Sequence, residues 1–468
     1  MGLGVDESYV VAAGRTLHLG YFDHPPAVWW LSWLAAHLAG SEAPIVVRLP
    51  FILLFALSTW LMYRLGAALF TPRAGLFAAI TFNLSPLFGV AFGTFVLPDG
   101  PLDAALLAAA LCLARALESR PERGLGWWLA AGLAAGLALF SKYNAILVLA
   151  GAFLYLATSP RHRSWLARSA PWLALLIAFL VFLPTLIWNA RHGWTSFAFQ
   201  GDRALGLAFH PLAPFIVFAG EALYLLPWIW LPLVLSAWTA LRRGPLAWQG
   251  WLLLCLAAPA VLIFSIIALW AHGRILFHWA APGYLMLFPL LGAAIEARLT
   301  SHRRSTRAWL VGTACFVIVA TALVAAEVRT DRPISLAARF PLGHDPALQL
   351  RDWRELKTEL AARHLLDRPD LVIATVRWPD AAKIGYALGP GHPVVVLGGK
   401  PHEFGLQHPL AQYHGRHVLI LAPNVGPRRI ERSFGSLFTR ITTLPPLTLL
   451  EGTRPLLAIP LYLGHGLR

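Results

Sequence analysis

The stretch WLALLIAFLVFLPTLIW, residues 172–188, contains no charged side chain. As a helix it would rise about 25 Å, close to the roughly 30 Å hydrocarbon core of a bilayer. FILLFALSTWLMY, residues 51–63, reads the same way. Working outward with a window of about 20 residues, spans are expected near 45–70, 74–96, 101–119, 126–141, 143–159, 165–189, 212–240, 248–270, 279–298 and 308–327. A mean hydropathy of +0.61 with 13% charged residues exceeds what a soluble core of this length requires, so the chain reads as a polytopic membrane protein.

The connections between these spans alternate in charge. One set carries Arg64, Arg73, Arg115, Arg120, Arg123, Arg161, Arg163, Arg168, Arg242, Arg243, Arg298, Arg303, Arg304 and Arg307. The other carries Arg15, Arg48, Lys142, Arg191, Arg203 and Arg274. The positive-inside rule places the first set in the cytoplasm and the second, with both chain ends, outside. MGLGVDESYV is neither a signal peptide nor a span, so a first helix is expected to precede Met1, making eleven spans. The net charge of +15 is distributed as short clusters between spans, which argues for membrane orientation and against nucleic-acid binding. Cys112, Cys255 and Cys315 lie inside apolar runs without motif spacing, so neither a disulfide framework nor a thiolate metal site is expected.

After about residue 328 the composition changes. LRDWRELKTELAARHLL has helical periodicity, while LVIATV, HPVVVLGG and RHVLILAP are short apolar runs bounded by turn residues. The expected organisation is an all-α polytopic membrane domain over residues 1–328, followed by a small α/β extracytoplasmic domain over 329–468. LGGK follows a strand-like run but lacks the remainder of a nucleotide fingerprint.

Acids are costly beside a membrane, and of the twelve before residue 329 nine map to the outer half. Asp6, Glu7, Asp23 and Asp99 come from separate stretches to one depth. Each alone reads equally as a solvated loop acid. Lys142 is one of four lysines against 34 arginines, and no other lysine occurs in the first 328 residues. It suits either a snorkelling anchor or a point-charge partner for a phosphate. In GYFDHPPAVWW, residues 20–30, Pro25 and Pro26 suit the first turn of an interfacial helix. His24 then precedes a helix N-terminus, where an anion is favoured, and Trp29, Trp30 and Trp33 are expected to anchor the helix at headgroup depth.

Seven segments occur in order over about 290 residues: DESYVVAAGRTLHLGYFDHPP, VRLPFILL, LSPLF, LPDGPL, FSKYNAIL, WNARHGWTSFAFQ and HWAAPGYLML. As a set they resemble glycosyltransferase family 39, which includes protein O-mannosyltransferases and aminoarabinose transferases. The resemblance implies the C-type glycosyltransferase fold and an inverting transfer from a polyprenyl-phosphate sugar, with no nucleotide sugar. It implies that Asp6 is the base for the acceptor hydroxyl, with Glu7 next in line, and that Asp99 organises the site. FDHPP looks like an acid-Lys-Pro-Pro motif whose basic residue meets the donor phosphate; here that residue is His24, backed by Asp23. Lys142 matches a basic residue near the lipid phosphate, with Arg15 or Arg274 as further cations. No metal and no cofactor is expected. The expected partners are a polyprenyl-phosphate sugar donor, a glycolipid, glycan or protein acceptor and membrane lipids, with the bacterial inner membrane as location and the active site and tail on the periplasmic side. The alternative is a polyprenyl-linked glycolipid transporter or flippase, which should carry its ionisable residues at the bilayer midplane rather than at one interface. A membrane scaffold with a binding tail would not require the clustered acids.

Overall fold

The computed structural model describes residues 1–120, 123–204, 208–271, 275–330, 351–451 and 454–468. In chain order the helices before the tail are α1 (Val5–Ala13), α2 (Ala27–Ala39), α3 (Pro44–Leu69), α4 (Pro72–Leu84), α5 (Asp99–Glu118), α6 (Leu125–Ser141), α7 (Ala145–Thr158), α8 (Ser169–Arg191), α9 (Thr195–Ala204), α10 (Ala213–Leu225), α11 (Pro227–Arg243), α12 (Trp248–Ile267), α13 (Ala281–Ser301) and α14 (Arg303–Thr330). All ten expected spans are helical, but they do not all cross in the same way. Among the described residues six helices are each long and apolar enough to traverse a bilayer. Span 74–96 is α4 joined to the π-helical turn Pro86–Phe92 with a 64° bend, and span 212–240 is α10 and α11 with a 114° bend. Segments 126–141 and 143–159 are α6 and α7, of 17 and 14 residues. By length and composition, six of the described helices therefore qualify as spans, or eight with each bent pair taken as one.

The chain forms two compact units. One comprises Met1–Leu17, Trp29–Val47 and Leu323–Arg468; the other comprises His18–Val28 and Arg48–Ala322. The second unit is helical, and it is packed through small residues where bilayer lipid provides no hydrophobic drive between helices. A Cβ on Gly132 of α6 would stand 2.3 Å from the Ala174 carbonyl of α8, so only glycine allows this approach.

The first unit contains the tail elements: α15 (Glu355–Ala362), β1 (Leu371–Thr375), α16 (Trp378–Leu388), β2 (Val394–Val396), α17 (Glu403–Gln407), β3 (His417–Leu421), α18 (Pro427–Phe434), β4 (Phe438–Glu451) and β5 (Arg454–Leu467). The strand order is β2-β1-β3-β5-β4. β1 pairs parallel with β2 and β3, whereas β5 runs antiparallel to both β3 and β4. The three short strands coincide with the apolar runs read from the sequence. The β4–β5 pairing was not legible there, because Pro445 and Pro446 interrupt the alternation and the ladder shifts register between Leu444 and Leu447.

α1 belongs to this first unit and is fastened to α16. Lys383 is 2% exposed, and its Nζ donates to the carbonyls of Leu3 and Arg351, each at 2.7 Å. The Tyr9 hydroxyl accepts from the Glu403 amide, and its ring packs against Trp378, His402 and Phe404. Gln407 donates to the Ala13 carbonyl at 2.8 Å.

Candidate functional site

In the helical unit, the π-helical turn Pro86–Phe92 leads into LPDGPL, where Asp99 opens α5. A carboxylate there is favoured by the helix dipole. Lys142 caps the C-terminal end of α6 in an extended conformation, and its Nζ donates to both Asp99 oxygens at 2.8 and 2.9 Å. Lys142 and Asp99 are only 6% and 3% exposed. The snorkelling reading of Lys142 is thereby excluded, since the ammonium is enclosed rather than extended to water. One turn along α5, Asp103 is 2% exposed, and neither of its carboxyl oxygens has a hydrogen-bond partner among the described residues.

Hydrogen bonds join the stretches that stood far apart in sequence. From FSKYNAIL, the Tyr143 hydroxyl pairs with Ser196 at 2.7 Å and accepts from Asn189 at 3.4 Å. Asn144 donates to the Trp279 carbonyl of HWAAPGYLML at 3.1 Å. From WNARHGWTSFAFQ, Gln200 donates to the Asp23 carbonyl at 2.7 Å, and Phe199 stacks obliquely on Phe22. Gly20 lies flat on Trp188, where a Cβ would come within 2.8 Å of the ring. Burial, and secondarily the neighbouring His192, hold His18 of this first loop below its ordinary 6.5. Asp23 is buried and His24 half-buried in this loop, and the Tyr21 amide donates to the His24 carbonyl. The helix that follows begins at Ala27, so the two prolines stand just before the first helical residue rather than within its first turn.

Asp6, Glu7 and Arg15 fall in the other unit. Asp6 and Glu7 occupy the first turn of α1. Glu7 is 2% exposed and its Oε2 accepts from the Gly4 amide at 2.8 Å, meeting one of the free donors at the start of α1. Asp6 is exposed. Arg15 is corrected from ligand cation to structural tie. Its Nε and Nη2 donate to the Glu42 carboxylate at 2.8 Å each, and its Nη1 donates to the Gly385 carbonyl at 2.9 Å. Trp29 is corrected likewise: it is 1% exposed and meets Tyr9 edge-on, so it packs inside rather than anchoring at a headgroup. Trp30 is 36% exposed, and Trp33 stacks on His37. Arg274 lies outside the described residues.

The sequence reading did not single out Glu221 and Tyr284. The Tyr284 hydroxyl donates to Glu221 Oε2 at 2.7 Å and accepts from the Trp230 indole at 2.8 Å. The trio brackets the α10–α11 bend, where Leu226 takes φ +72°, a conformation costly for a branched residue. An acid in the middle of an apolar run was the available signal. Among the described residues no three His, Cys, Asp or Glu side chains are grouped to hold a metal ion.

The chain shares the fold of ArnT from Cupriavidus metallidurans bound to undecaprenyl phosphate, with 98% of this chain and 94% of the other superposing (TM-score 0.66, 16% identity). The apo state of that protein matches equally, with 98% and 93% covered (TM-score 0.65, 16% identity). Residues 23–188 match the family model described as dolichyl-phosphate-mannose-protein mannosyltransferase. Over 200 residues the chain is 28% identical to the lipid A galacturonosyltransferase RgtD of Rhizobium johnstonii, covering 43% of this chain and 41% of that one. The chain thus spans about two fifths of the length of this curated relative. These likenesses agree with the resemblance to glycosyltransferase family 39 drawn from the sequence. The matched stretch contains Asp23, His24, Asp99 and Lys142 and excludes Asp6 and Glu7.

Proposed function

We propose that this protein is an inverting glycosyltransferase of the bacterial inner membrane, moving one sugar from a polyprenyl phosphate to an acceptor at the periplasmic face. The observation that carries this reading is the water-excluded Lys142–Asp99 pair within the family-matched stretch. An ammonium has three protons; Asp99 takes two of Lys142's, leaving one for a donor phosphate oxygen. His24, ahead of α2, is the second phosphate contact, with Asp23 supporting it. Asp6 accepts the acceptor's hydroxyl proton as that oxygen attacks the anomeric carbon from the face opposite the phosphate. The bond from the anomeric carbon to the phosphate oxygen breaks and its electron pair leaves on the polyprenyl phosphate. The charge gained there is met by Lys142 in a low-dielectric setting. No metal enters this scheme. The kinship to a lipid A galacturonosyltransferase supports lipid A as acceptor over a glycan or a protein.

The test is Asp6→Asn in purified enzyme given a polyprenyl-phosphate sugar. Turnover should fall about 10²- to 10⁴-fold, the usual worth of a general base, with donor binding nearly unchanged. Retained turnover would remove Asp6 from the reaction. A reporter fused after residue 328 should be active only outside the cytoplasm.

A further inference from the structure

α11, the start of α12, α13 and α14 enclose a cleft of about 800 Å³. Its lining carries Arg243, Gln249, Arg298, Ser305 and Thr306, and it includes no aspartate or glutamate. Neither guanidinium is hydrogen-bonded or ion-paired among the described residues. Thr306 is 6% exposed, and its hydroxyl has no hydrogen-bond partner among the described residues. A buried hydroxyl left in this state costs stability unless something meets it. The cleft therefore offers two unpaired positive charges and an unmet donor, which is the complement of a phosphate.

The remaining lining shows where that phosphate comes from. Leu235, Leu290 and Ile295 supply apolar surface, and Leu235 is also 54% exposed on a membrane-facing helix, so the cleft opens towards hydrocarbon. A soluble anion has no use for that surface, whereas a lipid does. The site is also separate from the one described above. Trp279, just ahead of α13, meets Asn144 beside Lys142, and Arg298 stands nineteen residues further on, roughly 28 Å of helical rise.

We propose that this cleft binds the phosphodiester headgroup of an anionic glycerophospholipid. Arg243 and Arg298 face the phosphate, Thr306 and Gln249 donate to its oxygens, and the glycerol and the first acyl carbons lie against Leu235, Leu290 and Ile295. Basic pockets between helices at a membrane boundary favour this ligand class.

The experiment uses the full chain in mixed micelles containing phosphatidylglycerol or phosphatidylcholine, with lipids retained per chain counted by native mass spectrometry. Wild type should retain one phosphatidylglycerol in preference to phosphatidylcholine. Each of Arg243→Gln and Arg298→Gln should reduce that preference about fivefold, and the pair roughly 25-fold. Thr306→Val, which keeps shape and removes the hydroxyl, should reduce it roughly three- to tenfold. The charge-matched control Arg163→Gln with Arg168→Gln lies outside the cleft and should leave it unchanged. An undiminished preference in the double cleft variant, confirmed folded by its melting temperature, would overturn the proposal. So would an equal loss in the control, or saturable binding of glycerol 3-phosphate as tight as that of the lipid.

Discussion

α5 ends in an ion pair at both termini, and the two pairs differ in almost everything except geometry. At its start Asp99 meets Lys142 at 2.8 Å, with side chains 4% and 7% exposed. At its end Glu118 meets Arg161 at 3.1 Å, with side chains 51% and 58% exposed. In each pair the cation lies 43 residues further along the chain. Distance alone would rank them as equals. Desolvation separates them: the exposed pair exchanges one set of water contacts for another, whereas each member of the buried pair depends on the other for its charge to be tolerable.

The strongest way to break this comparison is Lys142→Met. It leaves Asp99 buried without its cation, and unfolding in detergent should show a loss of about 3–5 kcal/mol together with loss of transfer. Adding Asp99→Leu should restore most of the stability and none of the activity. A double variant that regained turnover would make the pair purely structural. A second test sharpens the contrast, because Asp103 is buried but unpartnered. Asp103→Leu should stabilise the protein by about 1–3 kcal/mol, since it removes a desolvated polar group that makes no hydrogen bond. Destabilisation would mean the carboxyl has a partner that matters.

The third test concerns the turn between α7 and α8 that carries Arg161. His162 there is buried and hydrogen-bonded to Tyr155, and its pKa is pushed down from 6.5 to about 4, by burial first and the Arg161 charge second. Because the folded value lies below the unfolded one, the unfolded chain binds this proton first. The contribution is complete above about pH 6.5 and is lost as pH falls from there towards 4. Melting temperature across that window should decline in wild type and decline less in His162→Asn. The smallest effect is expected for Arg161→Gln, under about 1 kcal/mol and weaker still in high salt. A loss comparable to that of Lys142→Met would overturn the distinction by burial.

How the motifs come together follows the same division. Asp99 and Lys142 were legible individually, because an acid and a lone lysine beside apolar runs are conspicuous against so few charges. That they bind each other was not, since nothing in LPDGPL or FSKYNAIL encodes a partner. Arg15 was misread for the converse reason: a cation between apolar segments has the same sequence signature whether it faces a ligand or, as here, Glu42 and the Gly385 carbonyl. Trp29 shows the same ambiguity in aromatic form.

By itself the sequence determined that this is a membrane protein, where its helices lie, that an α/β tail follows, and which acids and bases stand out beside apolar runs. Those properties depend on local composition and on the fixed thickness of a bilayer, and a window of about twenty residues contains them. Only the tertiary structure decided that two of the expected spans are helices of 17 and 14 residues and two are bent, that α1 is fastened to the tail helix α16, and that Lys142 is paired while Asp103 is not. Each of these depends on which distant side chains exclude water from a given group. Desolvation is a property of the assembled surroundings rather than of any stretch of chain.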